Sequence, residues 1–255
     1  MKKAIVLAVC LLLVGLLAVN GTLAQGISNL FADLGTFFAG KTSGAPEQDT
    51  EGELDVRLVY QKRNAAGTAL VGEGTPEQLA PARYQAGFDW DQDKQNVGGV
   101  MLWDESKIGG AVDKFTSVKN AGEKSAYIRT AFALDKYAYD HGIIHLNFNQ
   151  DDENFRYEGW KSITIKGRPY MMMVVTCKKE LAHNATTPPM LLQVAMSNHV
   201  TNADLSNVSA DFLLIKTMAI ESDVFVEKVD GVEQKMSAEA ALNLALPLDS
   251  LQPFQ

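Results

Sequence analysis

The sequence predicts a mainly β protein: an antiparallel two-sheet sandwich, preceded by an N-terminal signal peptide and closed by a short C-terminal helix. Three observations predict it. From Met101 onward the chain runs through seven strand-forming stretches, "KFTSVKN", "SAYIRTAFAL", "GIIHLNFN", "KSITIKG", "RPYMMMVVTCKK", "MLLQVAMSN" and "DFLLIKTMAI", parted by Gly, Asn, Asp or Pro clusters. The long amphipathic helices that a βαβ chain needs between its strands are missing. About 230 residues remain after the signal, enough to bury the core of one large β domain.

Residues 1–24 read as the signal. Lys2 and Lys3 are the positive start, Ala4 to Val19 the apolar stretch, and Asn20 to Ala24 a polar, small-residue exit. Thr22 and Ala24 stand at −3 and −1 of a cut before Gln25. A retained membrane anchor is the rival, but Asn20, Gly21 and Thr22 interrupt the apolar stretch and no basic stop-transfer cluster follows. Losing Lys2 and Lys3 takes the formal charge from −8 to −8 − 2 = −10. So acidic a chain does not read as a nucleic-acid binder, since neutralising phosphates would need a basic face.

Residues 25–52 form an arm and a polar linker. Ile27, Leu30, Phe31, Leu34 and Phe38 fall on one face of a helix, with Phe37 beside them, yet Leu30, Ala32, Leu34 and Phe38 would share one face of an extended strand. Both conformations remain open. "GKTSGAPEQDTEG" is rich in turn residues.

The sandwich domain is expected over residues 53–255. Its first strand is "ELDVRLVYQ", where Leu54, Val56, Leu58 and Tyr60 alternate with polar positions. Residues 62–100 read as a long loop; a connection of that length in a compact domain carries function or decorates the rim. "SAEAALNLAL" is the C-terminal helix, with Ser237 as its N-cap and Pro247 just past its end.

Candidate chemistry is sparse. His141 and His145 share one face of either a helix or a strand and could reach one metal ion with Asp140 or Asp151. They lack the zinc-peptidase order, so rim histidines are the expected reading. Asp89, Asp91 and Asp93 alternate like the opening of a calcium loop, but Lys94 and Val100 stand where its glycine and closing glutamate belong. Asp151, Asp152 and Glu153 make a second acidic turn, read as solvated. No serine elbow and no glycine-rich phosphate loop occurs. Cys177 and the Met171–Met172–Met173 run read as core filling, with Met171 and Met173 facing one way and Met172 the other. No catalytic residue, cofactor or metal is therefore assigned, and the chain is not read as an enzyme.

One stretch carries more. In "FTSVKNAGEKSAYIRTAFALD" two strand-forming runs flank a turn made by Asn120 and Gly122; read as a hairpin, it places Ala126 and Ile128 on one side and Tyr127 and Arg129 on the other. "SVKNAGEKSAYIRTAFA" resembles the "VKNTGxxxAYVRV" segment of the TasA and camelysin family of biofilm-matrix proteins of Gram-positive bacteria. "NGTLAQ" is similar to the exit of signals cut by the SipW-type signal peptidase in that family. "LLQVAMSNHVTNADLSNVSADFLLIKTMAIESDVF" is similar to its late strands, followed here by the Ala-rich segment at Ala238 to Leu246. The likeness covers the signal and residues 115–246; residues 62–100 lie outside it.

The resemblance implies a jelly-roll domain exported to the cell surface or extracellular matrix, where it assembles into fibres. There the arm exposed by signal cleavage adds a strand to the next subunit. It implies as partners further copies of the chain, the signal peptidase during export, and other matrix proteins. Two readings from other classes stand beside it. One is a monomeric surface module binding glycan or protein through Tyr84, Phe88, Trp90 and Trp103; the other is a metal-dependent hydrolase using His141 and His145.

Overall fold

The computed structural model describes residues 54–63, 70–74, 80–81, 108–149, 151–230 and 232–254. Twelve strands and three short helices follow one another in these segments. They are β1 (Val56–Arg63), β2 (Leu70–Gly74), β3 (Ala80–Pro81), β4 (Ile108–Asn120), β5 (Ala126–Asp135), α1 (Lys136–Asp140), β6 (Ile144–Phe148), β7 (Phe155–Ile165), β8 (Arg168–Cys177), β9 (Leu191–Ser197), α2 (Asn202–Asn207), β10 (Leu213–Glu221), β11 (Val226–Val229), β12 (Val232–Lys235) and α3 (Ala238–Ala245). The architecture is mainly β, and every pairing between named strands is antiparallel.

Two sheets share one core. The larger runs β2-β1-β4-β9-β6, with β3 also on β4; the smaller runs β10-β5-β8-β7. Val118 of β4, Phe148 of β6 and Leu191 of β9 meet Ile128 and Phe132 of β5, Val175 of β8 and Ile215 of β10 in a single hydrophobic cluster, as in a sandwich. Phe132 meets Phe148 edge-on across the two sheets at a ring distance of 5.2 Å. Three pairings nest inside one another: β7 with β8, β6 with β9, and β5 with β10.

Each expected strand has a counterpart, several of them longer than the stretch that announced it. "KFTSVKN" extends back to Ile108 as a bulged strand, because β9 offers a partner from Ile108 to Thr116. "KSITIKG" extends back to Phe155 and turns into β8 through Lys166 and Gly167, both with positive φ, as a two-residue hairpin turn requires. The methionines divide as expected: Met173 enters the central cluster and Met172 a second cluster on the opposite face of the sheet. Ser237 caps α3 by accepting from the Ala240 amide at 3.2 Å.

Two expectations are corrected. The stretch read as a loop over 62–100 contains β2, paired with β1, and β3, paired with β4. The "KNAGEKSAYIR" segment is not a hairpin: β4 lies in the larger sheet and β5 in the smaller. The reason is burial. Phe115–Val118 of β4 and all of β5 are buried on both faces, so each strand needs sheet neighbours of its own. The turn between them spans the gap of about 10 Å between sheets rather than the ~4.8 Å between paired strands.

Candidate assembly surface

At the crossing from β4 to β5, the Asn120 side chain and the Ala121 and Gly122 amides are all engaged. The Asn120 side-chain amide donates to Lys124 O at 2.7 Å and Leu181 O at 3.0 Å, while its carbonyl oxygen accepts from the Gly122 amide at 3.1 Å. The Ala121 and Gly122 amides also reach Asp55 O, at 2.7 and 3.0 Å. The turn thus ties β1, the crossing and the 181–185 segment together. An asparagine suits the place because one side chain both donates and accepts.

Beyond the turn, β5 uses its two faces as expected. Ala126, Ile128, Phe132 and Leu134 enter the central core. The other face of the sheet is covered by the C-terminal segment: Tyr127 packs with Ala238, Ala241 and Leu242, and Ala131 with Met172, Val174 and Leu251. The Tyr127 hydroxyl donates to Met236 O at 2.8 Å.

Arg129 is fully buried, with 0% exposure. Its Nε donates to Thr176 Oγ1 at 3.0 Å, and Nη1 donates to Leu242 O at 2.9 Å and to Leu246 O. Nη2 donates to Asn243 Oδ1. The guanidinium therefore caps the carbonyl end of α3, where a cation is favoured, sharing Leu242 O with the Leu246 amide. Burial pushes its pKa below the usual arginine value, and Glu158 and Glu239 oppose that shift.

The two edges of the smaller sheet differ. β7 carries a register shift between Tyr157 and Trp160, a left-handed Gly159, and the charged Arg156, Glu158 and Lys161. Bulges and charges of this kind discourage edge-to-edge pairing. β10 carries no bulge: all nine of its residues pair with β5 in unbroken register, and Lys216 is the one charge in its middle. Its sequence, "LLIKTMAIE", has the composition of a central strand.

The other candidate residues do not converge on a reaction. His141 stacks on Tyr137 at 4.0 Å and its Nδ1 contacts Tyr137 O at 2.9 Å. His145 instead contacts Ser197 Oγ through Nε2 at 2.7 Å, and that hydroxyl donates to Gly142 O. Asp151 accepts from the Glu153 and Asn154 amides at 3.2 Å each, closing its own turn. Among the described residues no group of three or more His, Cys, Asp or Glu could hold a metal ion. Thr22, Ala24 and Gln25, the arm residues Ile27, Leu30, Phe31, Leu34, Phe37 and Phe38, the aromatic set Tyr84, Phe88, Trp90 and Trp103, and Asp89, Asp91 and Asp93 all lie outside the described residues. No described helix is long and apolar enough to cross a membrane.

Two of these side chains give measurable predictions. Burial lowers the pKa of His145, opposed by a hydrogen bond to Gly142 and reinforced by His199. The unfolded chain then binds more protons just below the ordinary histidine value near 6.5, so this contribution to stability is lost as pH falls from about 6.5 through the folded pKa. Urea midpoints at pH 7.5 and 5.5 are expected to differ less in His145→Gln than in the parent. Burial likewise pushes the Cys177 thiol up to about 12. A thiol reagent at pH 8 is expected to leave the folded protein unlabelled and to modify Cys177 once urea unfolds it.

Sequence reasoning missed the pairing of Arg129 with α3, because nothing local marks a side chain whose partners lie more than 110 residues away. It also missed the β11–β12 hairpin, although "VDGV" carries the Asp-Gly signal of a two-residue turn, and Asp230 adopts a positive φ of 53°. No family model, curated protein or solved structure matches the chain.

Proposed function

We propose that this chain is a secreted structural subunit of an extracellular matrix fibre, exported by a Gram-positive cell and assembled by donation of the arm Ile27–Phe38 to the next subunit. The observation that carries the reading is the nested pairing of β7 with β8, β6 with β9 and β5 with β10. Nested pairs laid across two sheets are the pattern of a rolled-up hairpin, which supports a jelly-roll domain of the kind the resemblance implies. The "KNAGEKSAYIR" segment sits at a crossing of that roll, and its Asn120, Tyr127 and Arg129 side chains are spent on the fold, which supports a building block rather than a catalytic frame.

Signal removal acts as the switch, because the arm becomes a free N-terminal segment only after the cut. Main-chain hydrogen bonds then give the added strand its direction, and alternate apolar side chains choose its register. Sedimentation of the form starting at Gln25 tests the reading. Assembly is expected to depend on concentration, pH and salt, and deleting Gln25 to Phe38 in producing cells is expected to weaken the matrix. A protein that stays monomeric throughout, with an unaltered matrix after the deletion, removes the proposal.

A further inference from the structure

We propose that the open edge of β10, Leu213–Glu221, is the acceptor for the N-terminal arm of a second copy of this chain, which joins the smaller sheet as its fifth strand. The inference rests on the arm-donation reading above and specifies where the arm goes.

Hydrogen bonding fixes which backbone groups face outward. The Asp135 amide donates to Phe212 O at 2.7 Å and the Ser222 amide to Ser125 O at 2.9 Å, at the two ends of the β5–β10 ladder. In an antiparallel ladder such pairs alternate, so the even-numbered residues of β10 bond to β5. The amides and carbonyls of Leu213, Ile215, Thr217, Ala219 and Glu221 point away from it. Among the described residues none of these five has a further backbone partner, and β10 ends its sheet. Leu213, Leu214, Met218, Ala219 and Ile220 are only partly buried along the same strand. An unbulged edge that is apolar but for Lys216 and Glu221 is a template for another strand that can answer the lysine.

Among the described residues the sandwich is one lane short. β6 faces β7 through the Phe148 and Tyr157 rings at 5.6 Å, and at the other side β1 runs close to β10. Among the described residues the path of the larger sheet is five strands wide and the smaller sheet four, so β2 has no described counterpart, and the lane without one is beside β10.

The arm fits this lane in length, pattern and charge. Nine residues of β10 extend about 30 Å, which the residues from Ile27 to Phe38 can match. As a strand, the arm would turn Leu30, Ala32 and Leu34 toward the core, on the same side as Ile215 and Thr217. Asp33 is the one charged residue from Ile27 to Phe38 and would lie on the outer face. Lys216 is on that face in mid-strand, and it makes no ion pair or hydrogen bond among the described residues. Placing Asp33 opposite Lys216 sets Leu30 and Leu34 over Ala219 and Ile215 in an antiparallel register.

The test is a cysteine trap in the form starting at Gln25, carrying Asp33→Cys and Lys216→Cys; buried Cys177 does not compete. Mild oxidation under assembly conditions is expected to give a ladder of covalent multimers on a non-reducing gel. Either cysteine alone is expected to give no more than dimers. An internally crosslinked monomer would overturn the second copy as occupant. Fibres without crosslinks would place the acceptor elsewhere while leaving arm donation intact; absence of fibres in the parent as well would remove both. Ala219→Pro is the companion variant, since it deletes an outward amide that β5 does not use. It is expected to melt with the parent, within a few degrees, and to form no fibres. If it folds and assembles normally, β10 is not the acceptor; if it fails to fold, the cysteine trap decides alone.

Discussion

Replacing Arg129 by methionine is expected to lower the unfolding free energy by about 3–5 kcal/mol, because several acceptors around a buried guanidinium lose their donor at about 1–3 kcal/mol each. Methionine fills much of the volume but brings no donor. Leu242 O, Leu246 O, Asn243 Oδ1 and Thr176 Oγ1 would lose a charge-assisted hydrogen bond together, in a place where Arg129 itself has 0% exposure. For a domain of this size the loss corresponds to roughly 6–20 °C in Tm. Arg129→Lys should recover less than half of it, because a single ammonium cannot reproduce the fork that serves α3 and Thr176 at once. The C-terminal segment should also open, and limited trypsin digestion after Lys235 should accelerate in step with the lost stability. Lys124→Met, which removes a partly exposed ion pair to Glu221 at 3.2 Å, is the control and should cost less than about 1 kcal/mol. An Arg129→Met protein melting within two or three degrees of the parent would show that α3 is held by apolar packing alone.

Phe132→Ala should be comparably severe, at about 3–5 kcal/mol. Phe132 is fully buried on β5, and its edge-on contact with Phe148 joins the two sheets. Truncation removes both the buried area and the contact, and it leaves a cavity that two hydrogen-bonded sheets cannot close. Chemical denaturation of Phe132→Ala, Phe148→Ala and the double variant separates these effects. The double variant should be more stable than the sum of single losses implies by about 0.5–1.5 kcal/mol, the usual worth of an aromatic pair. Simple additivity would mean that the two rings act as independent fillers.

The sequence was informative about faces and uninformative about neighbours. Period-2 patterning placed Ile128 and Tyr127 on opposite sides of β5, and separated Met172 from Met173, because alternation is a property of the strand itself. Ser237 was legible as a helix cap for the same reason: its partner, Ala240, is three residues away. What local pattern does not contain is which strands become partners. Asn120 and Gly122 mark a turn, yet whether the turn closes a hairpin or crosses between sheets depends on β1 and β9 claiming β4, and β10 and β8 claiming β5. "LLIKTMAIE" reads as an interior strand, and only the sheet order shows it to be an edge.

That mismatch bears on function. A strand with interior composition at an open edge is a liability for a monomer and an asset for a subunit that polymerises by strand addition. The histidines and the Asp151 turn, by contrast, have local partners that account for them.

The most direct measurement is negative-stain electron microscopy of two purified forms, one starting at Gln25 and one starting at Gly40, incubated side by side. Fibres are expected from the first and dispersed particles from the second. Fibres from both would deny the arm its part in assembly, and fibres from neither would contradict the structural-subunit reading and favour a binding module.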